Sequence, residues 1–261
     1  LQTYFDMAVD EGCTHCIMEV SSQAMKMNRI YGEHYKVGVF TNIDYDHISP
    51  TEHASMEDYL GCKVSFLKQC DNVVLYSDTR YFETIYNEVR DKHVVVYGSK
   101  ESIEKLMSRD DDFFEKDTDF ASIHNEDLTD HNSYFELIYG GENRAYNTNL
   151  IGDYNVENIV AAIISSLLIG IPNDQIRSSI RDVYVPGRLQ VYHWKDRTFM
   201  IDYAHNYISM YRLYEMVKKT MKPKSITVVF GCGGERYKKR REDMGRLAEQ
   251  YADKVVLTME D

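Results

Sequence analysis

Proline and cysteine are scarce in this chain: 4 prolines and 5 cysteines among 261 residues, with a single tryptophan. Five cysteines, an odd number in a chain this long, do not make a disulfide framework. The nearest approach to a motif is Cys13-Thr14-His15-Cys16, but a zinc site needs a second ligand pair, and none follows at a suitable spacing. The thiols are therefore expected to be buried and chemically idle, which fits a reducing cytoplasm. No run approaches the ~18 unbroken apolar residues of a membrane-spanning helix. The opening Leu1-Gln2-Thr3-Tyr4-Phe5-Asp6 has neither the basic nor the apolar region of a signal peptide. Positive charge is in the minority, with 30 Lys plus Arg against 42 Asp plus Glu and a formal net charge of -12. Nucleic acid and anionic membranes demand a cationic footprint, so neither is an expected partner, although a local basic pocket for a nucleotide is compatible with this balance. Also absent is any Gly-x-x-x-x-Gly-Lys-Ser/Thr loop, the usual cradle for nucleotide phosphates.

What is present suffices for a packed core. Hydrophobic residues make up 43% of the chain and aromatics 12%, which excludes wholesale disorder, and the length suits one large domain or two ordinary ones. Short β-branched runs at 16–20, 37–41, 73–76, 94–97, 199–203, 226–230 and 254–258 alternate with helical patterns. Their apolarity is continuous rather than alternating, as in parallel strands covered by helices on both faces. Residues 155–168 read as a helix apolar almost all round, hence central, closed by Gly170 and Pro172. Between Lys100 and Tyr146 the texture changes: Asp110-Asp111-Asp112 reads as a solvated loop, and 120–124 and 134–139 with a Gly140-Gly141 turn read as antiparallel hairpin material. Val185-Pro186-Gly187-Arg188 is the best boundary, because a new strand-helix alternation starts after it. The expected fold is α/β: a central, mostly parallel sheet flanked by helices with a small antiparallel addition over 1–187, then a partial Rossmann-like unit over 188–261.

Several polar clusters stand at the expected strand ends, where open parallel sheets hold their ligands. Glu19-Val20-Ser21-Ser22 offers a carboxylate for a divalent cation and hydroxyls for a substrate oxygen, or simply an ordinary cap. Thr41 to His47 adds several polar groups and an imidazole. Lys63 adjoins the apolar stripe of a helical pattern over 56–67, where the plain reading is a lysine lying along its own stem. Asn155 and Asn158 are three apart at the opening of the buried helix, so both amides can face one ligand; an N-cap role explains the first but not the second. Phe230-Gly231-Cys232-Gly233-Gly234-Glu235-Arg236 runs from a strand into a glycine-rich turn, followed by Lys238-Lys239-Arg240-Arg241, a pattern that lets backbone approach an anion.

In order and spacing these segments resemble the Mur ligases, and within them the branch that adds the third amino acid of the peptidoglycan stem peptide. The resemblance rests on Met18-Glu19-Val20-Ser21-Ser22, on Val39-Phe40-Thr41-Asn42 through Asp46-His47, and on Met56-Glu57-Asp58-Tyr59 through Lys63. It continues with Gly152 through Asn155 to Asn158, Pro186-Gly187-Arg188, Asp202-Tyr203-Ala204-His205 and Val229 through Gly234. It implies ATP-dependent amide formation through an acyl-phosphate on a UDP-N-acetylmuramoyl dipeptide, with a free amino acid as the second substrate, in the cytoplasm. It further implies that Glu19, His47 and a carbamylated Lys63 hold Mg2+, that Ser21 and Arg29 contact the nucleotide-peptide, and that Asn155, Asn158, Arg188, Asp202 and His205 serve ATP. The family's UDP-binding domain and phosphate loop would precede Leu1, and its amino-acid reader would begin near Glu260-Asp261, so the chain alone is expected to be inactive.

Four places depart from the family pattern: Gln23 for histidine, Met27 for glutamine, Arg240-Arg241-Glu242 for Lys-Arg-Pro, and Asn206-Tyr207 for Thr-Pro. Met27 removes one polar substrate contact. The competing readings are a Mur-type ligase with another acceptor, of the cyanophycin or poly-glutamate kind, and a non-catalytic homologue without the phosphate loop.

Overall fold

The computed structural model describes residues 2–50, 52–109, 112–232 and 239–259. Its main body is a six-stranded sheet in sequential order. The strands are β1 (Tyr35–Phe40), β2 (Cys70–Tyr76), β3 (His93–Ser99), β4 (Thr118–Leu128), β5 (Ser133–Tyr139) and β6 (Glu142–Thr148). β1 to β4 pair in parallel; β4, β5 and β6 pair antiparallel. The antiparallel addition is therefore continuous with the parallel sheet. Helices α1 (Gln2–Asp10) and α2 (Ser22–Lys26) precede the sheet, and α3 (Met56–Leu67), α4 (Phe82–Val89) and α5 (Lys100–Met107) are its crossovers.

The continuous apolar runs have the anticipated cause. Successive residues of a strand point to opposite faces. Val73 and Leu75 pack with Leu67, Ile85 and Tyr86 on the side of α3 and α4. Val74 and Tyr76 pack on the other side, against Val156, Val160 and Ile163 of α6 (Asp153–Leu168). Gly38 in β1 is required by close approach, since a Cβ there would lie 2.5 Å from the Sγ of the fully buried Cys70.

The helix expected at 155–168 starts two residues earlier, and its N-cap is Gly152 at φ +89°, not Asn155. Nor is it apolar all round: Asn158 and Ala162 are exposed, and the Ser165 and Ser166 hydroxyls donate back to the Ala161 and Ala162 carbonyls. Gly170, at φ +83°, closes it as expected.

Helix α7 (Asn173–Arg181) leads to a hairpin, β7 (Gln190–Trp194) and β8 (Arg197–Ile201). Then follow α8 (Tyr207–Met216), a π-helical turn (Val217–Met221), β9 (Thr227–Phe230), α9 (Lys239–Tyr251) and β10 (Lys254–Leu257), the last pairing in parallel with β9. Met210, Tyr214, Met244 and Leu247 form a small separate core.

Three expectations need correction. Residues 16–20 are not a strand: Ile17 is fully exposed, and among the described residues nothing pairs with the segment, so its apolar run has no ladder to complete. The strand expected at 199–203 ends at Ile201, because the Asp202 carboxylate accepts from the Leu189 and Ala204 N–H groups and bends the chain away. The thiols are not uniformly buried. Cys13 and Cys16 are exposed, Cys62 and Cys232 are half-buried, and only Cys70 is fully enclosed, its thiol pushed up to about 12 by burial. Among the described residues no helix is long and apolar enough to cross a membrane.

Candidate active site

Two groups of sequence-singled residues come together, one around Tyr59 and one around Tyr203. The first surrounds Tyr59 on α3. N-capping by Ser55, whose hydroxyl accepts from the Asp58 N–H, starts α3 so that Tyr59 and Lys63 lie on one face, four residues apart. The Lys63 ammonium sits 5.5 Å from the centre of the Tyr59 ring and 5.9 Å from that of Phe40, at the end of β1. His47 meets the same Tyr59 ring at 5.5 Å, held with φ at +58° while its N–H donates to Asp46 Oδ1. Its Nδ1 lies 3.3 Å from Glu52 Oε1.

The electrostatics of this corner are unusual for a lysine. Among the described residues Lys63 has no ion pair, only the two aromatic faces. Burial pushes its ammonium below the ordinary lysine value, while the Glu19 carboxylate acts in the opposite direction. The Tyr59 phenol is raised, first by burial and then by the carboxylates of Asp46, Glu52 and Asp44. These carboxylates act on the corner electrostatically, whereas among the described residues the His, Cys and carboxylate atoms close enough to share one cation are those of His53, Asp58 and Cys62. Glu19 itself is exposed on coil.

Ser21 caps α2 (Ser22–Lys26), its Oγ accepting from the Ala24 N–H at 3.1 Å. Arg29 is exposed, and its guanidinium donates to the Met27 sulfur at 3.2 Å, so the residue found in place of glutamine engages the arginine directly.

The second group gathers around Tyr203. The Arg188 guanidinium lies 4.6 Å over the Tyr203 ring, and the His205 ring stands edge-on to it at 4.8 Å. Asp202 is fixed by its two backbone donors. The two asparagines of α6 do not converge: Asn155 is buried with its amide donating to the Ile151 carbonyl at 2.9 Å, whereas Asn158 is exposed. Asn155 is therefore committed to holding the start of α6.

The chain also has a cleft of about 560 Å³. Asp44, Tyr45 and Arg80 form one wall; Asn206, Tyr207, Lys239, Arg240 and Asp243 form the other. The volume lies in the range of small-molecule sites. Arg80 donates to Asp44 Oδ1 at 3.1 Å and is held between the Tyr45 and Tyr81 rings. The glycine turn at 233–236 and Lys238 fall outside the described residues, but Lys239 and Arg240 reach this cleft at the start of α9.

Residues 1–166 match the family model described as "Mur ligase middle domain", and residues 187–261 match "Mur ligase, glutamate ligase domain". The chain belongs to the Mur ligase family. The Mur ligase relatives include the UDP-N-acetylmuramyl-tripeptide synthetase of Limosilactobacillus reuteri, 35% identical over all of this chain and 52% of its own length. The UDP-N-acetylmuramoyl-L-alanyl-D-glutamate--L-lysine ligase of Enterococcus faecalis is also 35% identical, over 97% of this chain and 48% of its own. This chain thus spans about half the length of the curated relatives it matches. Solved structures agree on the fold. A UDP-N-acetylmuramoyl-L-alanyl-D-glutamate--2,6-diaminopimelate ligase superposes with a TM-score of 0.64 at 24% identity, over 95% of this chain and 48% of that one. MurF from Acinetobacter baumannii gives 0.65 at 18% identity, over 85% and 46%.

Within this Mur ligase chain the structure adds residues that sequence reading did not single out. His53 is fully buried, its Nε2 2.9 Å from Ser22 Oγ and its Nδ1 3.2 Å from Asp58 Oδ2. Lys26 donates to that same carboxylate at 2.6 Å and holds the Asp58 carboxyl at about 2. This chain of contacts ties α2, and with it Ser21, to α3 and Lys63. The only signal in the sequence was a histidine and an aspartate five residues apart; the serine partner lies 31 residues upstream. Arg80 was findable, because it stands four residues beyond β2, at a strand end.

Proposed function

We propose that this chain supplies the central and first C-terminal parts, 1–187 and 188–261, of a cytoplasmic ATP-dependent ligase of peptidoglycan synthesis. The enzyme joins a third amino acid to UDP-N-acetylmuramoyl-L-Ala-D-Glu. The observation that carries the reading is Lys63: a half-buried ammonium with no ion pair among the described residues, facing His47 across Tyr59 and within the field of Glu19. A lysine carbamylated by carbon dioxide becomes an anionic oxygen donor, which suits a corner already rich in carboxylates.

In this reading Glu19, His47 and the Lys63 carbamate would hold Mg2+, which when bound would supply positive charge to offset that of a transferring phosphoryl group. The dipeptide's terminal carboxylate attacks the γ-phosphate of ATP to give an acyl-phosphate, and the amine of the incoming amino acid displaces phosphate. Ser21 and Arg29 orient the nucleotide-peptide; Asn158, Arg188, Asp202 and His205 meet ATP, and Asn155 keeps the start of α6 in place. Catalysis is then mostly positioning and charge neutralisation.

The deciding experiment is amino-acid-dependent phosphate release from ATP on the muramoyl dipeptide, assayed with a longer protein that carries this sequence and with the 261-residue chain. The longer protein turns over. The chain alone does not, because no phosphate-cradling loop lies among its residues. Robust turnover by the isolated chain, or none by the longer protein with any of meso-diaminopimelate, lysine or other amines, overturns the proposal.

Arg188 gives a sharper test. Its guanidinium is exposed and rests on Tyr203, a contact of about 0.5–1 kcal/mol, so Arg188→Ala lowers stability by no more than that. Charge-assisted hydrogen bonds to phosphate contribute roughly 1.5–3 kcal/mol each, so the same change weakens ATP use roughly ten- to a hundredfold. Steady-state kinetics with unchanged ATP parameters would remove Arg188 from the site.

A further inference from the structure

The contact between the two family-matched regions has an apolar part and a polar part. Ile151, just before α6, is buried with Leu189 and Met216 from the second region. Gly152, the N-cap of α6, lies so close that a Cβ there would stand 3.3 Å from both Leu189 Cδ1 and Met216 Cγ. Apolar contact of this kind brings surfaces together but does not fix their angle, because burial is non-directional and methionine adapts its shape. Direction comes from the polar part. Glu157 on α6 accepts from Arg212 on α8 through both oxygens, Oε2 from Nη1 at 2.6 Å and Oε1 from Nη2 at 3.0 Å. The Tyr76 hydroxyl, at the end of β2, donates to the same Oε1 at 2.5 Å. The Arg212 and Glu157 side chains are only 33% and 18% exposed.

We propose that Tyr76, Glu157 and Arg212 form a clamp that fixes the angle between the two regions, which makes Glu157 and Arg212 positioning residues for the nucleotide side of the site. A bidentate guanidinium–carboxylate pair is planar and sets orientation as well as distance. Each end of the pair sits beside residues assigned to ATP: Glu157 precedes Asn158 on α6, and Arg212 lies on the helix that begins just after Asp202 and His205. Glu157 is an unspecified position inside the Gly152 to Asn158 segment, and Arg212 lies outside every segment that carried the sequence resemblance. The anchoring tyrosine runs the clamp into the central sheet, so the second region is registered against β2 and not merely against a surface helix. Burial opposes the charge on Arg212, and its hydrogen bonds to the Glu157 carboxylate more than restore it, leaving the guanidinium above its usual value. A proton on Glu157 or a lost guanidinium would leave a half-buried polar group without its partner.

The inference rests on the ligase reading for its kinetic arm but not for its structural one. In the 261-residue chain, Arg212→Met and Glu157→Gln each broaden the small-angle scattering envelope and split one thermal transition into two. Hydrogen exchange across β2 and β3 stays protected, which shows that the sheet is still folded. The charge exchange Glu157→Arg with Arg212→Glu returns the parent envelope at least in part. In the longer enzyme Arg212→Met raises the Michaelis constant for ATP about tenfold, the order of coupling within one ion-pair network, with a smaller change in kcat. Parent-like scattering and a single transition in both single variants would overturn the clamp even if the enzyme is a ligase. A longer protein with no ligase turnover would overturn the ligase reading and leave the scattering result to stand by itself. If Arg212→Met does not fold, Glu157→Gln, which keeps the shape and one hydrogen bond, decides the matter.

Discussion

Lys63→Ala abolishes turnover in the longer enzyme that carries this chain, and short carboxylic acids such as formate or acetate return part of it. The expectation follows from the surroundings of the side chain. An ordinary surface lysine keeps its ammonium in water; this one lies against Tyr59 and Phe40 with no ion pair among the described residues. Burial lowers the proton affinity of the amine from its usual ~10.4. Only the neutral amine reacts with carbon dioxide, forming a carbamate and releasing a proton, so the same burial favours the modification. The sign for pH follows: lowering the pH refills the ammonium, removes the carbamate and lowers activity on the acidic side. Alanine removes the donor and leaves room beside Tyr59, which a small carboxylate can fill. Isotopically labelled carbon dioxide retained on the parent chain and lost from Lys63→Ala would be direct evidence. Normal turnover of Lys63→Ala, or loss with no rescue by any small acid, returns Lys63 to a packing role.

How far the sequence could be read depended on where the information resides. Strands whose partners also lie in apolar runs were legible. Val73 to Tyr76 and Val94 to Tyr97 are continuous because α3 and α4 cover one face and α6 the other. The 16–20 run has the same texture and forms no strand, since texture states only what a segment tolerates and not what stands beside it. Helices α4, α5 and α7 are only eight or nine residues long, so each shows little more than two turns of periodicity. In the site, residues that form local motifs were visible: Lys63 four residues from Tyr59, and Asp202 beside Tyr203 and His205. Residues that matter through distant partners were not, as with His53 reaching back to Ser22 and Glu157 reaching forward to Arg212. Asn155 shows what spacing leaves out: its side-chain amide donates locally to the Ile151 carbonyl, a contact its position in the pattern does not announce.

The largest effect on stability is expected on α6, where the sequence pattern overstated burial. Ile163 is fully buried in the core between α6 and the sheet, and α6 lies against β1, β2, β3 and β5 together. Ile163→Ala removes buried methyl groups and leaves a cavity, which costs about 2–5 kcal/mol. Ile163→Asp is far worse. A carboxylate there has apolar neighbours and no cation, and burying an unpaired charge costs several kcal/mol beyond the lost packing. Set against a typical domain stability of about 5–15 kcal/mol, that leaves little or no folded protein. The neighbouring Ala162 is exposed, so Ala162→Asp meets water and costs only what helix propensity takes, below about 1 kcal/mol. A helix buried all round predicts similar collapse for both aspartates. Urea unfolding of Ile163→Ala and Ala162→Asp, with soluble yield and circular dichroism for Ile163→Asp, separates the two pictures. An Ala162→Asp chain as unstable as Ile163→Asp would mean that another part of the protein covers the outer face of α6.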